Sequence, residues 1–209
     1  MNLAPHDYDW QNSQPTCAHE YLWPTVREVI QTLYHREAAK ILDLGCGNGH
    51  AASCLAALGH SVMGVDASKK GIDIARSAYP DVNFAVGSVY DDGFSVVVGT
   101  PLDCVVSLEV VEHLFYPSKL FEQSYLLLKH GGYLILSTPY HGYVKNLALS
   151  LVNGWDRHFS VDWDGGHVKF FSRNTLARMA SRAGFKQPRF RGVGRFPGLW
   201  KSIVMIAQK

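Results

Sequence analysis

Nowhere does this 209-residue sequence run apolar for the ~20 residues that a bilayer-spanning helix needs. Its opening, MNLAPHDYDW, has neither the basic start nor the apolar centre of a secretion signal. Both absences argue for a cytoplasmic protein. Cysteine is sparse: Cys17, Cys46, Cys54 and Cys104 show no C-x-x-C spacing, which suits reduced thiols in a reducing compartment. A long basic run is also missing, and with a formal net charge of +2 the bulk electrostatics make nucleic acid an unlikely partner. Neither an internal repeat nor a low-complexity tract is present. What remains, 47% hydrophobic and 18% charged, fits one globular domain spanning 1–209 with a substantial core.

The stretch around which the chain is organised is Ile41 to His50, ILDLGCGNGH. Ile41, Leu42 and Leu44 suit a strand buried on both faces, and Gly45, Gly47 and Gly49 end it. Glycines let backbone turn sharply and approach a ligand before the helix that starts at Ala51. The dinucleotide fingerprint G-x-G-x-x-G would place its third glycine at His50, so the spacing here is a different one. Asp43, just ahead of the loop, can pair with a cationic amino group, whereas it would repel a pyrophosphate.

Either side of this loop, strand and helix patterns alternate. Residues 1–20 read as an arm without clear period, and Tyr8, Trp10 and Tyr21 either close over a pocket or pack on the outside of the sheet. Tyr21 to Tyr34 has a helical period, with Pro24 expected in its first turn. Strands are expected at 61–65, 82–86, 102–108 and 133–137, with a last one within 198–208; helices are expected at 69–78, 118–128 and 174–183. The second strand ends on Asp66, where a carboxylate can accept both hydroxyls of a ribose or merely cap the next helix. Alternation of this kind predicts a doubly wound α/β sheet, mostly parallel.

The motifs LDLGCGNG, VMGVDAS, VGSVYDD, DCVVSLEVVEHL and LLLKHGGYLILSTP, in that order, resemble the class I S-adenosylmethionine (SAM)-dependent methyltransferases. The resemblance implies a Rossmann-like seven-stranded sheet with an antiparallel last strand, and SAM across the carboxyl ends of the first four strands. It also implies roles for particular residues. Asp43, Gly45, Gly47 and Gly49 would hold the methionine end, Asp66 with Ala67 the ribose side, Ser88 and Val89 the adenine, and Leu108 the methionine backbone. Many members carry an acid where Ser88 stands, so adenine contact here is expected to rely on backbone and apolar packing.

A second constellation, Glu109-Val110-Val111-Glu112-His113, follows the fourth strand. In a helix its three polar residues would share one face and make most of a divalent metal site, Mg²⁺ or Mn²⁺, with His167 from a later loop as the further ligand. The bland alternative is a locally bonded Glu109, a solvated Glu112 and a packed His113. E-x-x-E-H at this place resembles both the ubiquinone-biosynthesis O-methyltransferases and the small-RNA 3′-terminal 2′-O-methyltransferases, which act on one of two adjacent hydroxyls. His141 and Lys145, near the end of the fifth strand, are candidates for proton removal. Within an expected substrate-covering insertion, 139–170, the segment 143–155 puts Val144, Leu147, Ala148, Leu151, Val152 and Trp155 on one helical face. That face could cover the acceptor, touch a membrane surface or pack on the domain. These features favour a small or lipid-like hydroxylated acceptor over RNA. The other readings are N- or C-methylation without metal and a non-catalytic SAM-binding module; oligomeric state is not legible.

Overall fold

The computed structural model describes residues 10–99, 101–159 and 166–209. Tyr8, one of the arm aromatics, lies outside the described residues. Seven strands form one sheet in the order β3-β2-β1-β4-β5-β7-β6. They are β1 (Lys40–Leu44), β2 (Ser61–Asp66), β3 (Asn83–Val86), β4 (Leu102–Leu108), β5 (Leu128–Pro139), β6 (Arg189–Val193) and β7 (Ser202–Gln208). Strands β1 to β5 pair in parallel, while β7 runs antiparallel to both β5 and β6. The reversed last strand is the one that the family resemblance implied.

Side-chain alternation along the central strands divides the core in two. Leu42, Val105, Leu134 and Leu136 face one layer, formed by α4 (Phe94–Val98), α5 (Ser118–Leu127) and α8 (Arg173–Ala183). Ile41, Cys104, Val106 and Ile135 face the other, formed by α1 (Cys17–Leu33), α2 (His50–Ala56) and α3 (Lys69–Ala78). Central strands covered on both faces need continuous apolarity, which is why β1, β4 and β5 read so clearly in the sequence.

Several expectations change. Helix α1 starts at Cys17, before the expected Tyr21, so Pro24 sits inside it and leaves the Glu20 carbonyl without its helical N–H donor. Helix α5 stops at Leu127, and the glycine pair expected to end it lies within β5, where Gly131 takes φ 82°. The expected helix over 143–155 breaks in two, α6 (Tyr143–Leu151) and α7 (Trp155–Phe159), with Asn153 at φ 47° between them. Helix α4 and strand β6 had no counterpart in the sequence reading; Arg191 of β6 pairs with Glu28 of α1 at 2.8 Å.

No helix among the described residues is long and apolar enough to cross a membrane.

Candidate active site

The glycine loop joins β1 to α2 at the carboxyl edge of the sheet. Its first amides are tied down, Gly45 N and Cys46 N donating to the Val65 carbonyl at 2.8 and 3.1 Å. Gly45, Gly47 and Gly49 all have positive φ, 79°, 52° and 80°. All three are also forced by neighbours: a Cβ on Gly45 would run into Val110, one on Gly47 into the indole of Trp10, and one on Gly49 into Ala75 and Phe84. Close approach here is therefore first an approach of protein to protein. Trp10 belongs to an N-terminal strap clamped by Asn48, a residue 1% exposed whose Nδ2 donates to the carbonyls of Asn12 and Gln14, both at 2.8 Å.

Asp66 accepts from Gly47 N at 2.8 Å and from Ser68 N at 2.7 Å, so it orients the loop and the start of α3 together. Asp43 is buried at 1% exposure, and its Oδ2 has no hydrogen-bond partner. Burial, with Asp66 adding to it, pushes the Asp43 carboxyl up to about 7. A buried carboxylate oxygen with no donor is a place where an ammonium group is stabilised, so the chemistry of this edge fits the amino group of SAM. At the end of β3, Ser88 N donates to Asp91 Oδ2 at 2.7 Å, and Val89 is buried. Asp91 thus brings a carboxylate to the edge where Ser88 stands in the sequence motif. Leu108, at the end of β4, is buried beside Ser137 in register.

Directly beyond Leu108 the chain does not form the expected helix. Glu109 adopts φ 55°, and a single 3-10 turn, Val111–His113, follows. This separates the two glutamates. Glu109 turns toward β5 and β7, its Oε1 accepting from Ser137 Oγ at 2.7 Å and its Oε2 from Ser202 Oγ at 3.1 Å. Tyr21 Oη bonds the same Ser202 hydroxyl at 3.0 Å. Glu109, expected as a metal ligand, is bonded by these two hydroxyls and is not among the residues whose ligand atoms cluster with Glu112. Glu112 is 1% exposed; Thr138 Oγ1 donates to its Oε2 at 3.0 Å, and its Oε1 has no hydrogen-bond partner. Burial raises the carboxyl of each glutamate, and the Glu109 charge raises Glu112 further.

His113 and His167 complete the grouping. One ligand atom from each of Glu112, His113 and His167 lies within 4.8 Å of the others. The segment carrying His167 is fastened by its backbone, Val168 N and Lys169 N donating to the Glu112 carbonyl at 2.9 and 3.1 Å. His113 Nδ1 lies 3.2 Å from the Gly166 carbonyl. A carbonyl only accepts, so Nδ1 carries the proton and Nε2 is the unprotonated nitrogen of the neutral ring. His141 packs among rings, 4.8 Å from Phe170, 5.6 Å from Phe159 and 5.8 Å from His158. Burial and the Lys145 charge lower it to about 4. Lys145 donates to the Tyr140 carbonyl at 2.8 Å, and burial followed by the Arg195 charge lowers it.

The hydroxyls of Ser137, Thr138 and Ser202, with Asp91 and the clamp Asn48, escaped the sequence reading. Single serines and threonines carry no motif; strand register is what gathers them.

Comparison with known proteins agrees with this geometry. Residues 19–187 match the family model of a methyltransferase domain. A ubiquinone biosynthesis O-methyltransferase of Thiobacillus denitrificans is 30% identical over 160 residues, 74% of this chain and 67% of that protein. One from Ruegeria sp. is 28% identical over 78% of this chain and 66% of its own length. The chain spans about half to two thirds of the length of the curated relatives it matches. Among solved structures, a SAM-dependent methyltransferase from Archaeoglobus fulgidus superposes with a TM-score of 0.67 at 19% identity, covering 90% of this chain and 93% of that one. Magnesium protoporphyrin IX methyltransferase from Synechocystis, with bound S-adenosylhomocysteine, gives 0.65 at 19% identity, covering 89% and 83%. The glycine loop, the carboxylates around it and the match across most of its length make this chain a member of the SAM-dependent methyltransferase family.

Proposed function

We propose that this methyltransferase acts on a hydroxyl oxygen of a small or lipid-like acceptor with two adjacent hydroxyls, assisted by Mg²⁺ or Mn²⁺ at Glu112, His113 and His167. Two observations carry the reading: one ligand atom of each of those three side chains lies within 4.8 Å of the others, and Glu112 has a buried oxygen with no donor. An acid and two imidazoles, one with its tautomer fixed from behind, suit Mn²⁺ better than Mg²⁺, which prefers an all-oxygen shell. Similarity to proteins named ubiquinone biosynthesis O-methyltransferases supports oxygen as the methylated atom.

On the cofactor side, Asp43 would hold the amino group, Asp66 with Ala67 the ribose side, Ser88 and Val89 the adenine, and Leu108 the methionine backbone. SAM supplies an electrophilic methyl group on its sulfonium sulfur. The chain's own contribution is to fix the acceptor oxygen in line with that methyl and keep the acceptor hydroxyl acidic enough to attack. A divalent cation lowers a hydroxyl pKa and reduces the need for a strong protein base. His141, lowered to about 4, is a weak base that would take a proton only from a hydroxyl already acidified, whereas Lys145 donates to the Tyr140 carbonyl.

A lipid-like acceptor is supported by α6, which buries none of its residues and exposes Tyr143 at 80% and Leu151 at 78%. Such a face suits an isoprenoid tail or the surface of a membrane that holds one.

The test is methyl transfer to a panel of catechols, quinol-like lipids, sugar diols and short RNA, before and after chelation. Activity on a vicinal diol should disappear with EDTA, return with Mg²⁺ or Mn²⁺, and fall roughly 100-fold in Glu112→Gln. Transfer that ignores chelation and survives Glu112→Gln would instead support N- or C-methylation with the cluster structural.

A further inference from the structure

The strap that precedes α1 is fastened to the glycine loop and to the end of α3, not to the sheet. Its carbonyls at Asn12, Ser13 and Gln14 are each held by a side chain: Asn48 Nδ2 donates to the first and the last at 2.8 Å, and Tyr79 Oη donates to the middle one at 2.9 Å. Asn48 stands between Gly47 and Gly49, and Tyr79 caps the end of α3. Gln11, Asn12, Gln14 and Pro15 meanwhile leave their side chains exposed. A segment bonded through its backbone, with most of its side chains in water, gains little from apolar burial, so these bonds serve to place something. Trp10 is what they place.

The Trp10 indole fills the space that a Cβ on Gly47 would take. A Cβ on Gly71, in the first turn of α3, would meet Trp10 Cδ1 and Gly47 O, both at 2.9 Å. The indole is thus wedged between the loop and the start of α3. Asp66 joins the same two pieces by accepting from Gly47 N and Ser68 N. Trp10 and the carboxylate assigned to the ribose side therefore share their neighbours. An arm that only packed would set its aromatic ring on a helix face or on the outside of the sheet; this one sets it on the middle glycine of the loop.

We propose that Trp10 is a further cofactor-binding residue, its indole forming a wall of the SAM pocket on the ribose side, and that the strap is a clasp that slows cofactor release. The proposal rests on the glycine loop holding SAM. A ring already fixed by the strap adds contact area to the bound nucleoside at little entropic cost. Release then waits for the strap to unfasten.

The full chain is loaded with radiolabelled S-adenosylhomocysteine, release is followed after an unlabelled chase, and tryptophan emission is recorded during a parallel titration. The ligand should change the emission of the native protein, and Trp10→Phe should remove most of that change. Trp10→Ala should release the ligand roughly tenfold faster, with Trp10→Phe in between, as expected of one aromatic contact. Tyr79→Phe, which removes the bond to Ser13, should release it roughly threefold faster. A purely structural Trp10 would lower the melting temperature of the ligand-free protein and leave release unaltered. Release at the native rate from Trp10→Ala overturns the proposal, as does an emission change that Trp10→Phe leaves intact. Should Trp10→Ala not fold, native release from both Trp10→Phe and Tyr79→Phe overturns it. Fast release from Trp10→Ala beside native release from Tyr79→Phe keeps the wall and removes the clasp. Asp43→Asn separates these failures from failure of the cofactor reading: native affinity for S-adenosylhomocysteine in that variant removes the loop as the SAM site, whereas weakened affinity with native release from the Trp10 variants removes the role of Trp10 alone.

Discussion

Asp43 shows how much one side chain in this site is asked to do. A carboxylate of an unfolded chain ionises near 4, whereas Asp43 in the fold keeps its proton up to about 7. With the folded pKa above the unfolded one, its contribution to stability is complete below the unfolded pKa and is lost as pH rises through the folded pKa. The ligand-free protein should therefore lose stability between about pH 4 and about 7. Asp43→Asn should flatten that slope in thermal melts across the same window. Binding works in the opposite sense. A cationic amino group needs the ionised carboxylate, so S-adenosylhomocysteine should bind more weakly as pH falls below about 7, with proton release on binding. Calorimetry in two buffers of different ionisation enthalpy measures that release, and none in the native protein would refute the pairing. Residues of this kind are legible because they stand in a motif. Glu109 is not, because its φ of 55° reflects what surrounds it, and a period-based reading of E-x-x-E-H assumes the helix that this conformation prevents.

At the scale of elements, legibility followed burial. Strands β1, β4 and β5 are covered by helices on both faces, and their apolar runs stand out. Strand β6 is five residues long with two arginines and a glycine among them, RFRGV, and lies at the edge of the sheet, where little apolar patterning is demanded. Helix α6 is the reverse case: its apolar period was visible, yet the fold buries none of it. If that face meets lipid, the protein should co-sediment with phosphatidylglycerol vesicles, and replacing Val144 and Leu151 by serine should reduce the bound fraction several-fold while leaving S-adenosylhomocysteine binding intact. Equal sedimentation of the native and replaced proteins would assign α6 to covering the acceptor alone. The strap at Trp10 was half-legible. An aromatic arm could be seen in the sequence, but not that Asn48 would fasten it to the loop.

Across the whole molecule, one sheet connects both halves of the site. Asp43 is the last residue but one of β1, Asp66 ends β2 and Leu108 ends β4; Glu109 and Glu112 follow β4, and Thr138 is the last residue but one of β5. Cofactor binding should therefore stabilise the domain as a unit. At a concentration 100 times its dissociation constant, S-adenosylhomocysteine should add about 2.7 kcal/mol and raise the melting temperature in a single transition. Two separable transitions would mean that the cofactor edge folds independently of the rest. The number of strands and the reversed last one came from family resemblance; the place of β7 between β5 and β6 did not, because no local pattern in 198–208 tells a strand which neighbours it will take.

Ser202 sets the order in which the site can be completed on the ribosome. Its hydroxyl reaches Tyr21 in the first helix and Glu109 after the fourth strand, yet it is the first residue of the last strand. Every cofactor-facing motif emerges long before it. Until the final strand leaves the exit tunnel, β5 has an open edge and the Glu109 carboxylate lacks one of its two donors. A nascent chain that already contains the entire glycine loop is still missing the Ser202 hydroxyl that joins Glu109 to Tyr21, and if Glu109 serves the acceptor, competence to bind the cofactor should precede competence to transfer its methyl group.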